Sequence, residues 1–263
     1  MDLGLRGKVA LVAGSSQGLG RAIAEELAAE GCALTLNARG AGPLETARGA
    51  IATRFGVRVT AVAADLAKTD EARRVAETAI REHGRVDILV TNAGGPPSGP
   101  FESHDEAAWL ATVRLTLLSA IEMARAVLPG MKERRFGRIL NVTSIAAKQP
   151  VDGLILSNAV RAAVTKMART LANETAPFGI TVNNVMPGYT RTERLQELVQ
   201  ALVARENTTA EAVAARWHKE IPAGRLGEPR ELAALAAFLA SERAGYITGQ
   251  SIAVDGGWIR GLM

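Results

Sequence analysis

Between a short apolar run and the first periodic apolar pattern, the chain reads Gly14-Ser15-Ser16-Gln17-Gly18-Leu19-Gly20. Gly14 permits a tight turn, Gly18 lets backbone N–H groups approach a phosphate, and Gly20 lets a helix pack closely on a sheet. The helix that opens there presents its partly positive end, which suits a dinucleotide pyrophosphate. A glycine triplet also occurs as a plain turn; its place between a first strand and a first helix favours the phosphate reading. About twenty residues beyond Gly18, the next strand ends in Asn37-Ala38-Arg39, where an acid would take a ribose 2′-hydroxyl and a cation a 2′-phosphate. The acidic position reads Ala38, and Arg39 can meet a phosphate with two parallel donors. The expectation is NADP(H) in preference to NAD(H); the alternative is an Arg39 that stacks on adenine or points to solvent.

The elements that must position these residues alternate. Val9–Gly14 reads as a strand, and Leu19, Ile23 and Leu27 mark one face of a helix that Gly31 stops. Ala33–Asn37, Arg58–Ala63, Asp87–Thr91, Arg138–Thr143, Ile180–Val185 and Ser251–Val254 read as further strands. Helices are expected over Asp70–His83, over Asp105–Met131 with an interruption near Pro129, through Val160, Val164, Met167 and Leu171 up to Pro177, and over Glu231–Ser241. Residues 190–218 look helical but irregular. Short strands that are apolar throughout are buried on both faces, and alternation with helices makes them parallel. The sequence predicts one α/β domain over residues 1–263: a Rossmann-type doubly wound sheet of about seven strands. Ligands bind beyond the carboxyl ends of such strands, where the glycine motif falls.

Composition narrows the function classes. The 263 residues are 48% hydrophobic and 22% charged, which argues against disorder. The net charge is +4 with a pI near 9.6, but the basic residues are scattered, so no nucleic-acid partner is expected. The single Cys32 excludes a disulfide scaffold. His83, His104 and His218 do not have metal-ligand spacing, so no metal is expected and each is read as solvated. No uninterrupted apolar run reaches the roughly 18 residues of a membrane span, and Met1 to Lys8 does not read as a signal peptide. A cytoplasmic protein without a membrane partner is the expectation.

The Gly-x-x-x-Gly-x-Gly spacing, Asn92-Ala93-Gly94 after the fourth strand, Asp65 after the third, and Pro187-Gly188 followed by Thr192 together resemble the short-chain dehydrogenase/reductase family. Gly224–Pro229, Ile247–Gln250 and Asp255–Gly257 resemble its C-terminal signature. The likeness runs from Leu5 to Trp258 and is greatest to the 3-oxoacyl-carrier-protein-reductase-like branch. It implies a cofactor site of Gly14, Ser16, Gln17, Gly18, Leu19, Gly20, Arg39, Asp65 against the adenine, Asn92, Gly94, Arg161, Pro187, Gly188 and Thr192.

The resemblance breaks at the chemistry. The family acts through an Asn, a Ser and a Tyr-x-x-x-Lys. The Ser position is Ser144, at the end of Asn141-Val142-Thr143-Ser144. The Tyr position holds Ser157, the Lys position Arg161 and the Asn position Thr116. Spacing of four keeps Ser157 and Arg161 on one helical face. A serine hydroxyl is too weak an acid to replace a tyrosine with a starting pKa of about 10, and Arg161 stays protonated. Arg161 can still donate to a ribose or a developing oxyanion. Tyr246 reads as packing in the C-terminal motif; Tyr189 reads as a pocket wall, with a catalytic role as the alternative.

Three readings follow. The first is an oxidoreductase in which Ser144, Ser157 and Arg161 polarise the substrate oxygen and water supplies the proton. The second is a nicotinamide-binding protein without turnover, a sensor or partner subunit. The third is a non-redox lyase or isomerase on the same scaffold. Residues 190–218, with Leu195, Leu198, Leu202 and Trp217, read either as a lid over an apolar small-molecule substrate or as a helix pair packed on the domain. The prolines of Gly95-Pro96-Pro97-Ser98-Gly99 stiffen one candidate pocket wall. By resemblance alone, a homo-oligomer, tetramer or dimer, is expected.

Overall fold

Strands without polar alternation need cover on both faces, and the computed structural model, which describes residues 2–261, supplies it. Strands β1 (Val9–Val12), β2 (Ala33–Ala38), β3 (Val59–Ala63), β4 (Ile88–Thr91), β5 (Gly137–Val142), β6 (Ile180–Pro187) and β7 (Ser251–Val254) form one sheet in the order β3-β2-β1-β4-β5-β6-β7. Every pairing is parallel. The helices are α1 (Gly18–Ala29), α2 (Ala41–Phe55), α3 (Thr69–His83), α4 (Glu106–Thr112), α5 (Ser119–Arg134), α6 (Ile155–Thr175), α7 (Glu193–Glu206), α8 (Ala210–Glu220) and α9 (Pro229–Ala240).

Alternate residues of β1 serve opposite layers. Ala10 and Val12 join the core under α1, α2 and α9; Leu11 and Ala13 join the core under α3, α5 and α6. The chain reverses direction across the sheet between β1 and β4, and a crevice opens there at the strands' carboxyl ends. A buried polar line braces that edge. Thr91 Oγ1 donates to Asn141 Oδ1 (2.7 Å), Asn141 Nδ2 to Asn184 Oδ1 (3.1 Å) and Asn184 Nδ2 to Ser251 Oγ (3.0 Å). These residues pair in register on β4, β5, β6 and β7, so each side chain finds the next.

Several expectations need correction. Pro129 does not interrupt its helix; α5 continues to Arg134. The irregularity lies earlier, in a π-helical stretch over Val113–Leu118, a distortion common at functional sites. Residues 41–55 carry a weak helical signal, with Gly42, Pro43 and Gly49, yet form α2 because Leu44, Ala47 and Ile51 bury into the core. Residues 190–218 resolve into two regular helices, α7 and α8. Tyr246 does not pack; it is fully exposed. His104 is not solvated at its ring nitrogen, because Nε2 is sealed without a partner. His83 is half-buried, its Nε2 3.1 Å from Thr60 Oγ1. The helical run Glu106–Arg134 is long and apolar enough to cross a membrane, though no uninterrupted apolar run is. Here its Met123, Val127 and Met131 face the core and its Glu122 is gripped by Arg73 and Arg125.

Candidate active site

The β1–α1 turn is built by exclusion. Gly14 and Gly18 both have φ of +58°, a conformation other residues rarely adopt. A Cβ on Gly20 would sit on the carbonyl oxygen of Gly14, so only glycine allows α1 to start against the turn. Asn92 Nδ2 donates to that same carbonyl at 3.1 Å and ties the β4 loop to the β1 loop. Ser15 locks the base: its N–H reaches Asn37 O (2.8 Å) and its Oγ reaches Val12 O (2.8 Å). The N-terminus of α1 has no side-chain cap and no acid in its first turn, so its free N–H groups remain available to an anion. Ser16 and Leu19 are half-buried and Gln17 is exposed.

The other expected cofactor residues follow the ends of neighbouring strands. Arg39 is exposed just beyond β2, with no ion pair among the described residues. Asp65 follows β3; its Oδ1 accepts from Ala67 N at 3.1 Å. Gly94 is exposed. Pro187 ends β6 and Gly188 follows it, where a Cβ on Gly188 would come within 2.7 Å of Asp255. Thr192 caps α7, accepting from Leu195 N at 3.2 Å, and its methyl lies beside Gly18. The turn, its open helix end and Arg39 can hold two separate phosphate groups.

The second half of the site lies where β5 runs into α6. Arg161 is buried. Its Nε donates to Ser157 Oγ (3.2 Å), and its Nη1 donates to Val142 O (3.1 Å) and Thr143 O (2.7 Å). The guanidinium thus staples α6 to the end of β5, next to Ser144. Ser144 is half-buried and its Oγ accepts from Ala146 N at 3.1 Å. Burial, reinforced by the like charge of Arg194, pulls the Arg161 pKa down to about 10, so it remains a cation at neutral pH. Thr116 lies in the π-helical stretch packed on α6, buried, with its Oγ1 unpartnered. The structure therefore gathers Ser144, Ser157 and Arg161 and places Thr116 on the element beside them.

Neither tyrosine enters this group. Tyr189 stacks on Trp217 at 4.4 Å and meets Trp258 edge-on at 5.8 Å. Burial, with Glu220 nearby, pushes its hydroxyl up to about 12, which suits a wall rather than an acid. This aromatic group borders a cavity of about 660 Å³ between α7, α8 and the loops at 98–103 and 149–154. Leu154, just before α6, also lines it and bridges to Gly99 across the cleft.

Sequence reasoning missed three contributors. Arg194, in the first turn of α7, donates to Pro96 O at 2.7 Å and rests where a Gly95 Cβ would be. The only signal was its place two residues after Thr192. Thr143 supplies the carbonyl that anchors Arg161, a backbone role no side-chain motif reveals. Trp258 joins Tyr189 and Trp217 only through the tertiary fold.

A family profile described as "Enoyl-(Acyl carrier protein) reductase" matches residues 13–259. The 3-oxoacyl-acyl-carrier-protein reductase FabG of Vibrio cholerae is 36% identical over 255 residues, 97% of this chain and 98% of that protein. L-sorbose reductase from Gluconobacter frateurii, solved with NADPH and L-sorbose, superposes with a TM-score of 0.94 at 35% identity over the whole of both chains. An NADPH-bound short chain oxidoreductase from Pseudomonas aeruginosa PAO1, described as containing an atypical catalytic center, gives a TM-score of 0.87 at 35% identity over 97% of each chain.

Proposed function

The chain belongs to the short-chain dehydrogenase/reductase family, and from that premise we propose that it is an NADP(H)-dependent oxidoreductase. It reduces a carbonyl, or oxidises the corresponding alcohol, of a small or acyl-type substrate. The observation that carries this reading is the Ser157–Arg161 pair, fastened to the end of β5 beside Ser144 in a chain whose glycine turn is intact.

In this reading Gly14, Ser16, Gln17, Gly18, Leu19 and Gly20 seat the pyrophosphate, and Arg39 takes the 2′-phosphate. Asp65 meets the adenine; Asn92, Gly94, Pro187, Gly188 and Thr192 border the rest of the cofactor. NADPH-bound relatives support the cofactor choice. When bound, the cofactor supplies the hydride. Ser144 and Ser157 donate hydrogen bonds to the substrate oxygen, and Arg161 stabilises the negative charge developing there and holds the ribose. With no acidic hydroxyl at hand, the proton comes from water. Helix α7, which has no fully buried residue, closes with α8 as a lid over the 660 Å³ cavity. The half-exposed edge strand β7 supports assembly into a dimer or tetramer, which light scattering would check.

The test is oxidation of NADPH followed at about 340 nm with a panel of ketones, β-ketoesters and aldehydes, the reduced cofactor being the hydride source. Turnover that disappears in Ser144→Ala and Arg161→Ala supports the reading. Among the described residues neither tyrosine hydrogen-bonds to Ser157 or Arg161, which favours a second one, cofactor binding without turnover. Tight NADPH binding with no oxidation across the panel would establish it.

A further inference from the structure

An acid in the first turn of a helix is ordinarily explained by that helix's own dipole. Glu193, in the first turn of α7, also reaches across to the start of α1. Its Oε2 lies 3.4 Å from the point a Gly18 Cβ would occupy, the space that the glycine leaves open to a phosphate. Helix α1 has no acid in its own first turn, so a carboxylate from another helix stands beside its anion site. No cation answers it. Gly18 and Glu193 share the wall of a second cavity, of about 500 Å³, and the other charged side chains lining that cavity are engaged elsewhere: Arg21 with Glu25 (2.9 Å) and Arg191 with Glu228 (2.9 Å). Arg194, next in sequence, pairs with Glu197 (3.0 Å). Among the described residues no cation lies within ion-pair distance of Glu193. The backbone that carries it is fastened on both sides. Arg191 N–H donates to Gly227 O (2.9 Å), and Arg194 Nη2 donates to Pro96 O (2.7 Å). Thr192, between them, rests its methyl 3.7 Å from the same point beside Gly18. The acid is thus held next to the phosphate turn by anchors on its neighbours, not by attraction to a cation.

We infer that Glu193 lowers the protein's affinity for its dinucleotide: a negative charge fixed beside the β1–α1 turn opposes the diphosphate seated there and leaves the cofactor exchangeable. The residue forms and breaks no bond; it acts through the field at the turn. The inference rests on the cofactor half of the reading above, in which that turn takes the diphosphate.

The experiment is fluorescence titration of the protein with NADPH. Glu193→Gln should bind about three- to tenfold more tightly than wild type, the scale of one exposed charge acting on a doubly charged group. The gain should shrink towards one between about 0.05 M and about 1 M salt, where the screening length falls to roughly 3 Å. Glu193→Asp, which keeps the charge, should stay nearer to wild type than to the Gln variant. Glu211→Gln makes the same change in net charge on α8 and should leave the affinity within about twofold, because a distant exposed charge is screened. An acid that serves only its own helix would give no salt-dependent gain on removal. Equal or weaker NADPH binding by Glu193→Gln overturns the inference while the cofactor reading stands, as does an equal gain in Glu211→Gln or a gain undiminished at high salt. Binding seen only in Glu193→Gln upholds the inference in its strongest form. No NADPH binding by wild type or any variant overturns both.

Discussion

The β1–α1 turn and the β5–α6 junction both lie beyond the carboxyl ends of strands of one parallel sheet, yet they constrain their residues differently. At the turn the constraint is steric: Gly20 abuts a carbonyl oxygen and Gly14 and Gly18 need positive φ, so any side chain disturbs the backbone. At the junction the constraint is positional. Ser157 and Arg161 occupy the same helical face that a Tyr-x-x-x-Lys pair would, and Arg161 reaches back to β5. A different pair of side chains can hold that layout while changing the proton chemistry. Cofactor binding and catalysis can therefore diverge independently.

The largest expected effect tests that independence. Gly20→Val should weaken NADPH binding by at least about 100-fold in fluorescence titration, because a buried backbone clash is not relieved by rotamers. Ser157→Ala should leave the dissociation constant within a few-fold; a comparable loss in both would end the distinction between the two halves. Next, Arg39→Ala should weaken NADPH by roughly 10- to 100-fold and leave NADH unchanged, the loss expected for charge-assisted bonds to a phosphate. Equal effects on both cofactors would remove Arg39 from the 2′-phosphate.

Restoring the family pair sharpens the comparison from the other side. Ser157→Tyr with Arg161→Lys should create or raise NADPH oxidation with ketones, since the layout is retained and the acid is returned. An unchanged rate would mean that position 157 does not face the substrate.

A smaller effect concerns stability. Arg161→Met should abolish activity yet raise the melting temperature, by about 2–4 °C for each kcal/mol gained in a protein of this size. The folded-state pKa of Arg161 lies below its ordinary value, at about 10. Its burial penalty is therefore fully present below pH 10 and relieved as pH rises through that value. The stability gain of the Met variant should be constant from neutral pH to about 9 and shrink beyond about 10. The smallest effect is at the α9 capping box, where Arg225 and the Glu228 N–H hold the Glu231 carboxyl near 2. Glu231→Gln should be slightly less stable than wild type above pH about 4.5, and the difference should vanish as pH falls through about 2.

By itself, the sequence determined the alternating layers and the phosphate turn. Strand and helix periodicity is local, and a glycine required by φ or by close approach is legible in one dimension. The flanking sequence also singled out Ser144, Ser157, Arg161 and Thr116, which lie just after β5, on α6 and in the helical run before α5. What only the tertiary structure decided was the environment of those side chains. Helix α2 formed despite its glycines and proline because Leu44, Ala47 and Ile51 had a sheet to cover. Pro129 was tolerated while the helix distorted at Val113–Leu118, where Thr116 sits. Tyr246 turned outward and Tyr189 became a wall, choices set by partners distant in the chain. The sequence names Arg161 as a cation four residues beyond Ser157. Its burial against two backbone carbonyls, with another arginine and no acid beside it, follows from how α6 docks on β5. Charge is a property of the residue, but the field it stands in belongs to the fold.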